Sequence, residues 1–141
     1  MRIYLDSCIL IYLLEGNEEL SSEVERALLT SDASGDEACY SDLTRLECRV
    51  GPLRSGAADL LERYDELFSS AAFSRLAIDS AVFDRATHLR AREGWKTPDS
   101  LHVAAALAGD CREFWTNDDR LAKSSVRHLS VRVFPSQEPK I

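Results

Sequence analysis

The sequence predicts an α/β fold in which helices pack against a mainly parallel β-sheet of five strands. Short apolar segments recur along the chain, and longer segments with helical spacing of apolar residues separate them. Strands that alternate with helices are typical of parallel sheets, because a parallel connection needs a crossover that a helix supplies. The length of 141 residues and the 45% of apolar residues fit a single domain over residues 1–141.

Five strands are predicted where short apolar or alternating runs are bounded by polar or turn residues. The predicted strands are residues 3–5, 38–40, 76–78, 114–116 and 131–134. The first of these runs is followed directly by Asp6, and the third by Asp79.

Six helices are predicted from apolar spacing and from residues that begin or end helices. The predicted helices are residues 8–14, 20–28, 42–50, 57–68, 82–93 and 98–108. Ser7, Ser41 and Thr97 are predicted N-caps, since a side-chain hydroxyl can accept a hydrogen bond from a free backbone N–H group. Gly94 and Gly109 are expected to end the last two helices.

Composition argues against several classes of protein. A formal net charge of −7 disfavours a module that binds nucleic acid through basic side chains alone, but leaves room for a basic partner. The sequence contains neither an apolar run of the ~18 residues that suggest a membrane span nor a signal peptide, so we expect a cytoplasmic protein. The four cysteines lack C-x-x-C spacing and are expected to be free thiols.

Three aspartates lie at positions where ligands bind in parallel α/β folds. Asp6 follows the first predicted strand, and Asp118 lies two residues beyond the fourth, so both are expected at the same edge of the sheet. Asp99 opens a helix that is otherwise apolar. Each also has a structural interpretation: Asp6 can cap a helix, Asp99 can interact with a helix dipole, and Asp118 can occupy a turn.

Glu47 is the fourth candidate, because its predicted helix places it on an apolar stripe. The stripe consists of Leu43, Leu46, Glu47 and Val50. A carboxylate there must be paired or bound to a cation, since an isolated buried charge is costly. Arg45 and Arg49 lie two residues away, where helical side chains do not face one another. If the four carboxylates converge, oxygen ligands favour Mg²⁺ or Mn²⁺, which can support hydrolysis of a phosphodiester bond.

The same residues resemble those of PIN-domain ribonucleases, and within that family the VapC-type toxins of bacterial toxin–antitoxin pairs. The resemblance spans nearly the whole chain. It rests on Ile-Tyr-Leu-Asp-Ser at residues 3–7, the helix from Ser41 to Glu47, Thr-Pro-Asp-Ser-Leu-His-Val-Ala-Ala-Ala at residues 97–106 and Trp-Thr-Asn-Asp at residues 115–118. It implies a three-layer α/β/α fold, an acidic pocket with one or two Mg²⁺ or Mn²⁺ ions, and endonucleolytic cleavage of RNA.

The resemblance also implies roles for individual residues. Asp6, Glu47, Asp99 and Asp118 match the family's acidic quartet. Ser7 and Thr116 match supporting hydroxyl residues, and the adjacent Asp119 is an alternative to Asp118. Cys8 departs from the Asn that many relatives carry. His102 is expected to be a core or supporting residue rather than a catalytic base.

For partners, the resemblance implies an RNA substrate, a cognate antitoxin that neutralises the toxin, and a homodimer. An apolar groove among the early helices is a candidate docking site for the antitoxin. The candidates for contact with the RNA backbone are Arg45, Arg49, Lys96 and Arg120.

Three alternatives remain open. A phosphoacceptor receiver domain could use Asp79, but the sequence lacks an acidic pair after the first strand and a lysine after the fifth. An aspartyl phosphatase would need D-x-D, whereas Asp6-Ser7-Cys8 lacks the second acid. A PIN fold without catalytic activity could act only as a binding module.

Overall fold

A computed structural model describes residues 1–124 and 126–136; the end of the expected domain, residues 137–141, lies outside the described residues. The strands are β1 (Arg2–Leu5), β2 (Glu37–Ser41), β3 (Phe73–Leu76), β4 (Cys111–Thr116) and β5 (Ser130–Val133). The helices are α1 (Ser7–Glu15), α2 (Glu18–Ala33), α3 (Asp42–Ser55), α4 (Ala58–Ser69), α5 (Ser80–Glu93), α6 (Thr97–Ala108) and α7 (Asp119–Ala122). Among these helices, not one is long and apolar enough to cross a membrane.

The strands form one sheet in the order β3-β2-β1-β4-β5, and every pairing is parallel. The central strand β1 pairs Ile3 with Ala38 of β2 and Tyr4 with Phe114 of β4. This arrangement confirms the predicted parallel α/β fold. It also places the carboxyl ends of β1, β2 and β4 side by side, where Asp6, Ser41 and Thr116 lie.

Two hydrophobic clusters cover the two faces of the sheet. Tyr4 points into a cluster that includes Leu89 of α5 and Val103 of α6. Its neighbours Ile3 and Leu5 belong to the other cluster, which is formed largely by α1 and α2. Because successive side chains of a strand point to opposite faces, helices pack on both sides and the fold has three layers, α/β/α.

Several predicted boundaries were wrong in detail. The third strand is Phe73–Leu76 rather than residues 76–78, because Ser74 and Arg75 interrupt the apolar pattern of this edge strand. The N-cap of α1 is Asp6 rather than Ser7, and the N-cap of α6 is Lys96 rather than Thr97. The N-cap of α3 is Ser41, as predicted. The short helix α7 was not predicted.

Candidate metal centre

Asp6 lies at the end of the central strand and is fixed by two hydrogen bonds. Its Oδ1 atom accepts from the backbone N–H of Ser7 at 2.8 Å, which caps α1, and its Oδ2 atom accepts from Thr116 Oγ1, also at 2.8 Å. Thr116 ends β4 and is fully buried. The structural interpretation of Asp6 as a cap is therefore correct, yet the carboxylate also borders the other acids of the site.

Glu47 reaches the site for a different reason from the predicted one. Leu46 is 61% exposed and Val50 is 44% exposed, so the proposed apolar stripe is not the buried face of α3. The buried face carries Thr44 and Cys48. Glu47 lies at the edge of that face, and its half-buried side chain turns toward Asp6, because α3 starts at the end of β2, next to β1.

A series of buried hydrogen bonds connects Glu47 to the core of the protein. His102 is 1% exposed, and its Nε2 atom lies 2.5 Å from Glu47 Oε1 and 3.6 Å from Asp6 Oδ1. The other ring nitrogen, Nδ1, lies 2.7 Å from the hydroxyl of Tyr4, which in turn lies 2.7 Å from Ser41 Oγ. His102 thus belongs to the core and also touches two of the acids, which fits the supporting position expected for it.

The part played by Tyr4 and Ser41 in this series of hydrogen bonds was not predicted from the sequence. The available signal was a polar atom within each of two apolar runs, the hydroxyl of Tyr4 in residues 3–5 and the imidazole of His102 in residues 101–108. A buried polar group requires a hydrogen-bond partner, so two such groups on adjacent elements are candidates for a direct contact.

Asp99 and Asp118 both lie close to the guanidinium group of Arg120. Arg120 binds Asp118 through Nη2–Oδ2 at 2.5 Å, and the same nitrogen lies 3.7 Å from Asp99 Oδ2. Asp118 is also the N-cap of α7, accepting from the backbone N–H of Arg120 at 3.0 Å. The exposed neighbour Asp119 begins α7 without capping it, so Asp118 is the better placed of the two adjacent acids.

The carboxylates affect one another electrostatically. Burial, followed by the negative charges of Asp6 and Asp118, raises the pKa of Asp99 above its ordinary value. The hydrogen bond from Arg120 lowers the pKa of Asp118. Asp6, Asp99 and Asp118 therefore lie close enough to influence one another electrostatically. Glu47 is connected to this group because His102 contacts both Glu47 and Asp6.

The donor set fits a hard divalent cation. Ligand atoms of Asp6, Glu47 and His102 lie within 4.8 Å of one another. Both ring nitrogens of His102 already have hydrogen-bond partners, so the carboxylate oxygens are the groups left to bind a cation. Oxygen donors of this kind match Mg²⁺ and Mn²⁺ better than softer metals.

The other residues singled out in the sequence lie in varied places. Ser7 Oγ is 3.5 Å from Asp6 Oδ1, and Cys8 Sγ is 3.9 Å from Thr116 Oγ1, so both border the site. All four cysteines are free thiols.

Of the four basic candidates, Arg120 alone is shown in contact with the acids of the quartet. Arg49 pairs with Asp65 of α4 at 2.8 Å, and Arg45 lies 3.9 Å from the same carboxylate. The exposed Lys96 precedes α6 as its N-cap. Asp79 uses its carboxylate to cap α5 by accepting from the backbone N–H of Val82, a structural role.

Comparison with known proteins identifies the family. The PIN domain model matches residues 3–126, and the chain therefore belongs to the PIN-domain family. Members of this family are nucleases and are typically dependent on divalent metal ions. The family match, and the fold that agrees with it, exclude the receiver-domain and aspartyl-phosphatase alternatives. No curated protein matches the chain in sequence.

Solved structures of toxin–antitoxin systems share the fold. A toxin–antitoxin complex from Klebsiella pneumoniae aligns with 23% identity and a TM-score of 0.71, covering 90% of this chain and 94% of that chain. VapBC2 from Rickettsia felis, bound to a promoter DNA fragment, aligns with 15% identity and a TM-score of 0.75, covering 94% and 98%. VapC20 from Mycobacterium tuberculosis, a toxin that cleaves the sarcin–ricin loop, aligns with 12% identity and a TM-score of 0.65, covering 79% and 86%.

Proposed function

We propose that this PIN-domain protein is a metal-dependent endoribonuclease that acts as the toxin of a toxin–antitoxin pair. The observation that carries the proposal is that Asp6 and Glu47 lie beside the same buried imidazole, while the charges of Asp6 and Asp118 raise the pKa of Asp99. Close carboxylates repel one another, by roughly 4 kcal/mol for a pair ~4 Å apart at an effective dielectric constant of 20. A site of this kind is relieved by protonation or by a bound cation, and the oxygen donors select Mg²⁺ or Mn²⁺.

The residues divide the work of the site in this proposal. Asp6, Glu47 and Asp99 hold the principal ion, and Asp118 completes the acidic pocket or helps to hold a second ion. Ser7 and Thr116 support the pocket from its margin. The bound ion would supply Lewis acidity and an acidic water near the scissile phosphate.

The chain's own groups then orient the substrate and the ligands. Thr116 and the N-terminus of α1 hold the Asp6 carboxylate in one orientation. His102 holds Glu47 in the same way. Arg120 is exposed at the edge of the acidic site. When a metal ion replaces its guanidinium group beside Asp99 and Asp118, Arg120 can bind a phosphate of the RNA.

Two surface features support the proposal that the chain binds protein partners. The proposed partners are a cognate antitoxin and a second copy of the chain. An apolar groove of about 540 Å³ lies among α1, α2 and β3 and includes Leu13, Leu28 and Phe73, which fits the docking of an antitoxin helix. On α3, Leu46 and Leu53 are 61% and 58% exposed, an apolar face suited to a homodimer. The related folds found in toxin–antitoxin complexes agree with an antitoxin partner.

The enzymatic proposal is tested by incubating purified protein with total bacterial RNA in Mn²⁺, with EDTA and the Asp99→Asn variant as the inactive arms. Asp84→Asn is the matched control, because Asp84 is an exposed aspartate on α5 outside the acidic site. Cleavage by wild type and Asp84→Asn alone supports the proposal. Equal cleavage by Asp99→Asn, or cleavage that survives EDTA, contradicts it, and a chain without activity under all conditions would be a binding module.

The toxin proposal is tested in cells. Expression of the wild-type chain should arrest growth, Asp99→Asn should not, and co-expression of the product of a small neighbouring open reading frame should restore growth. Normal growth with detectable folded protein would contradict the toxin role and leave the enzymatic proposal standing.

A further inference from the structure

A basic groove lies at the end of the sheet opposite the acidic site. It has a volume of about 810 Å³ and is bordered by α5, by the end of α6, by the start of β4 and by residues 126–128. The basic side chains that line it are Arg85, Arg92, Arg112, Arg127, His88 and His128. In the part of the chain that the structure describes, Asp110 is the one acidic residue that lines it.

The arginines of this groove are notable in a chain with 24 acidic residues and a net charge of −7. Arg92 pairs with the adjacent Glu93 at 3.2 Å. Within residues 1–124 and 126–136, no ion pair involves Arg85, Arg112 or Arg127, although each is exposed. The chain has more carboxylates than basic side chains, yet in its described part these three guanidinium groups are not paired with any of them. They are therefore available to bind an anion from outside the protein.

The groove is built by regular elements and by two turns of special backbone geometry. Arg85, His88 and Arg92 recur at the spacing of one helical face on α5. Among the described residues other than glycine, Asp110 and His128 are those with positive φ, 58° and 68°, and both line the groove. Such conformations are uncommon and recur at ligand sites.

We propose that this groove binds the phosphate backbone of RNA at a distance from the scissile bond. The identity of the ligand rests on the proposed function, whereas the anion site rests on the groove itself. Guanidinium forks match phosphate oxygens in pairs, and a row of them along one face suits a polyanion better than a single small ion. The groove thereby supplies the positive surface that the acidic catalytic edge lacks.

The separation of the two sites sets the length of RNA that can reach both. Strand β4 runs from Cys111 at the groove to Thr116 at the acidic site, about 16 Å at ~3.3 Å per residue. At ~3.4 Å of axial rise per stacked nucleotide, this distance corresponds to a minimum of about five nucleotides, because the RNA must pass around the outside of the domain. The substrate is therefore an RNA whose contacts extend well beyond the cleaved bond, and very short oligonucleotides should bind poorly.

The test measures binding by fluorescence anisotropy in EDTA, with a fluorescein-labelled RNA of about 20 nucleotides, longer than most single-strand sites. The variant carries Arg85→Glu, Arg112→Glu and Arg127→Glu. The matched control carries Arg26→Glu, Arg54→Glu and Arg63→Glu, which changes the net charge equally at exposed arginines elsewhere. A third protein with Gln at the groove positions removes charge without reversing it, and thermal unfolding checks that all fold.

The groove variant should lose about tenfold or more in affinity, and the slope of log K against log salt should fall by about 2, since each lost phosphate contact contributes ~0.7. The control should lose clearly less. Equal losses in both variants, no loss in the groove variant, or no RNA binding by wild type would overturn the proposal.

Competitors distinguish the sources of the anion. Unlabelled RNA should displace the probe far better than inorganic phosphate or poly-glutamate at equal charge. Displacement by poly-glutamate as effective as by RNA would assign the groove to an acidic protein segment and overturn the proposal, and the same result with inorganic phosphate would reduce it to a small-anion site. Because no metal is present, a failure of RNA cleavage in Mn²⁺ leaves this result unaffected.

Discussion

His102 Nε2 lies 2.5 Å from Glu47 Oε1, and this contact joins the buried core to the acidic edge of the sheet. The imidazole is 1% exposed, whereas the Glu47 side chain is 31% exposed. One end of the pair is therefore fixed by packing and by the Tyr4 hydroxyl, and the other end faces the site. Such a contact orients a carboxylate before any ligand arrives.

Replacing His102 should weaken metal binding. His102→Leu removes the contact to Glu47, and outer partners of ligands are worth about 10- to 100-fold in metal affinity. His102→Gln should recover part of the loss, because an amide can still donate to Glu47. Isothermal titration with Mn²⁺ measures the effect.

Tyr4→Phe is the matched control for the His102 variants, since it keeps the ring and removes the hydroxyl that lies 2.7 Å from Nδ1. Its loss of Mn²⁺ affinity should be smaller than that of His102→Leu. Wild-type affinity in a folded His102→Leu protein would show that Glu47 does not depend on this contact.

Asp99→Asn should stabilise the metal-free protein while removing its activity. The pKa of Asp99 is raised by burial and by Asp6 and Asp118, so the folded state disfavours the ionised form. The resulting destabilisation is present when the pH is above the raised pKa and disappears as the pH falls below the ordinary value. In EDTA at neutral pH, we expect Tm to rise by about 1–4 °C.

Differential scanning calorimetry over a range of pH checks this prediction. The difference in Tm between Asp99→Asn and wild type should shrink toward zero in acid. A variant that is less stable than wild type at neutral pH in EDTA would mean that Asp99 is not under electrostatic strain.

Arg120→Gln should strengthen metal binding. The guanidinium group lies beside Asp118 and Asp99, where it competes with an incoming cation. Removal of one positive charge at this range should improve Mn²⁺ affinity about three- to fivefold, if solvent screens the interaction as it does at exposed sites. Arg54→Gln, at an exposed position on α3, is the control. Weaker Mn²⁺ binding by Arg120→Gln would contradict the placement of this cation.

Shortening a buried side chain of helix α1 should destabilise the protein. Leu10 is 0% exposed, and Leu10→Ala should lower the free energy of unfolding by about 2–5 kcal/mol. Leu29 on α2 is 61% exposed, and Leu29→Ala should change it by about 0.5 kcal/mol or less. Urea denaturation of both variants measures the contrast, and similar losses would contradict the packing of α1 and α2.

The sequence predicted the fold well where a strand is buried on both faces. The middle of the sheet contains short apolar runs, Ile3–Leu5 in β1 and Phe114–Trp115 in β4, and helices α1 and α6 are apolar over most of their length, so their burial can be predicted directly. Edge strand β3 was misplaced because Ser74 and Arg75 interrupt its apolar pattern. Ser74 binds Glu37 and Arg75 binds Asp42, contacts that hydropathy cannot predict.

The candidate site was predicted as a set of residues but not as a geometry. The rule that ligands bind at the carboxyl ends of parallel strands correctly selected the region of Asp6 and Asp118. For Glu47 the argument was wrong, because the apolar residues of α3 include an exposed face with Leu46 and Val50. Helical spacing cannot distinguish an apolar face that packs against the core from one that is exposed.

The central claim is that the carboxylates of Asp6, Glu47 and Asp99 hold one divalent ion. Anomalous diffraction from crystals grown with Mn²⁺ tests it most directly, with crystals of Asp99→Asn as the comparison. We predict a strong anomalous peak among these carboxylate oxygens in the wild type, much reduced in the variant. No peak there at saturating Mn²⁺, or an equal peak in Asp99→Asn, would contradict the claim.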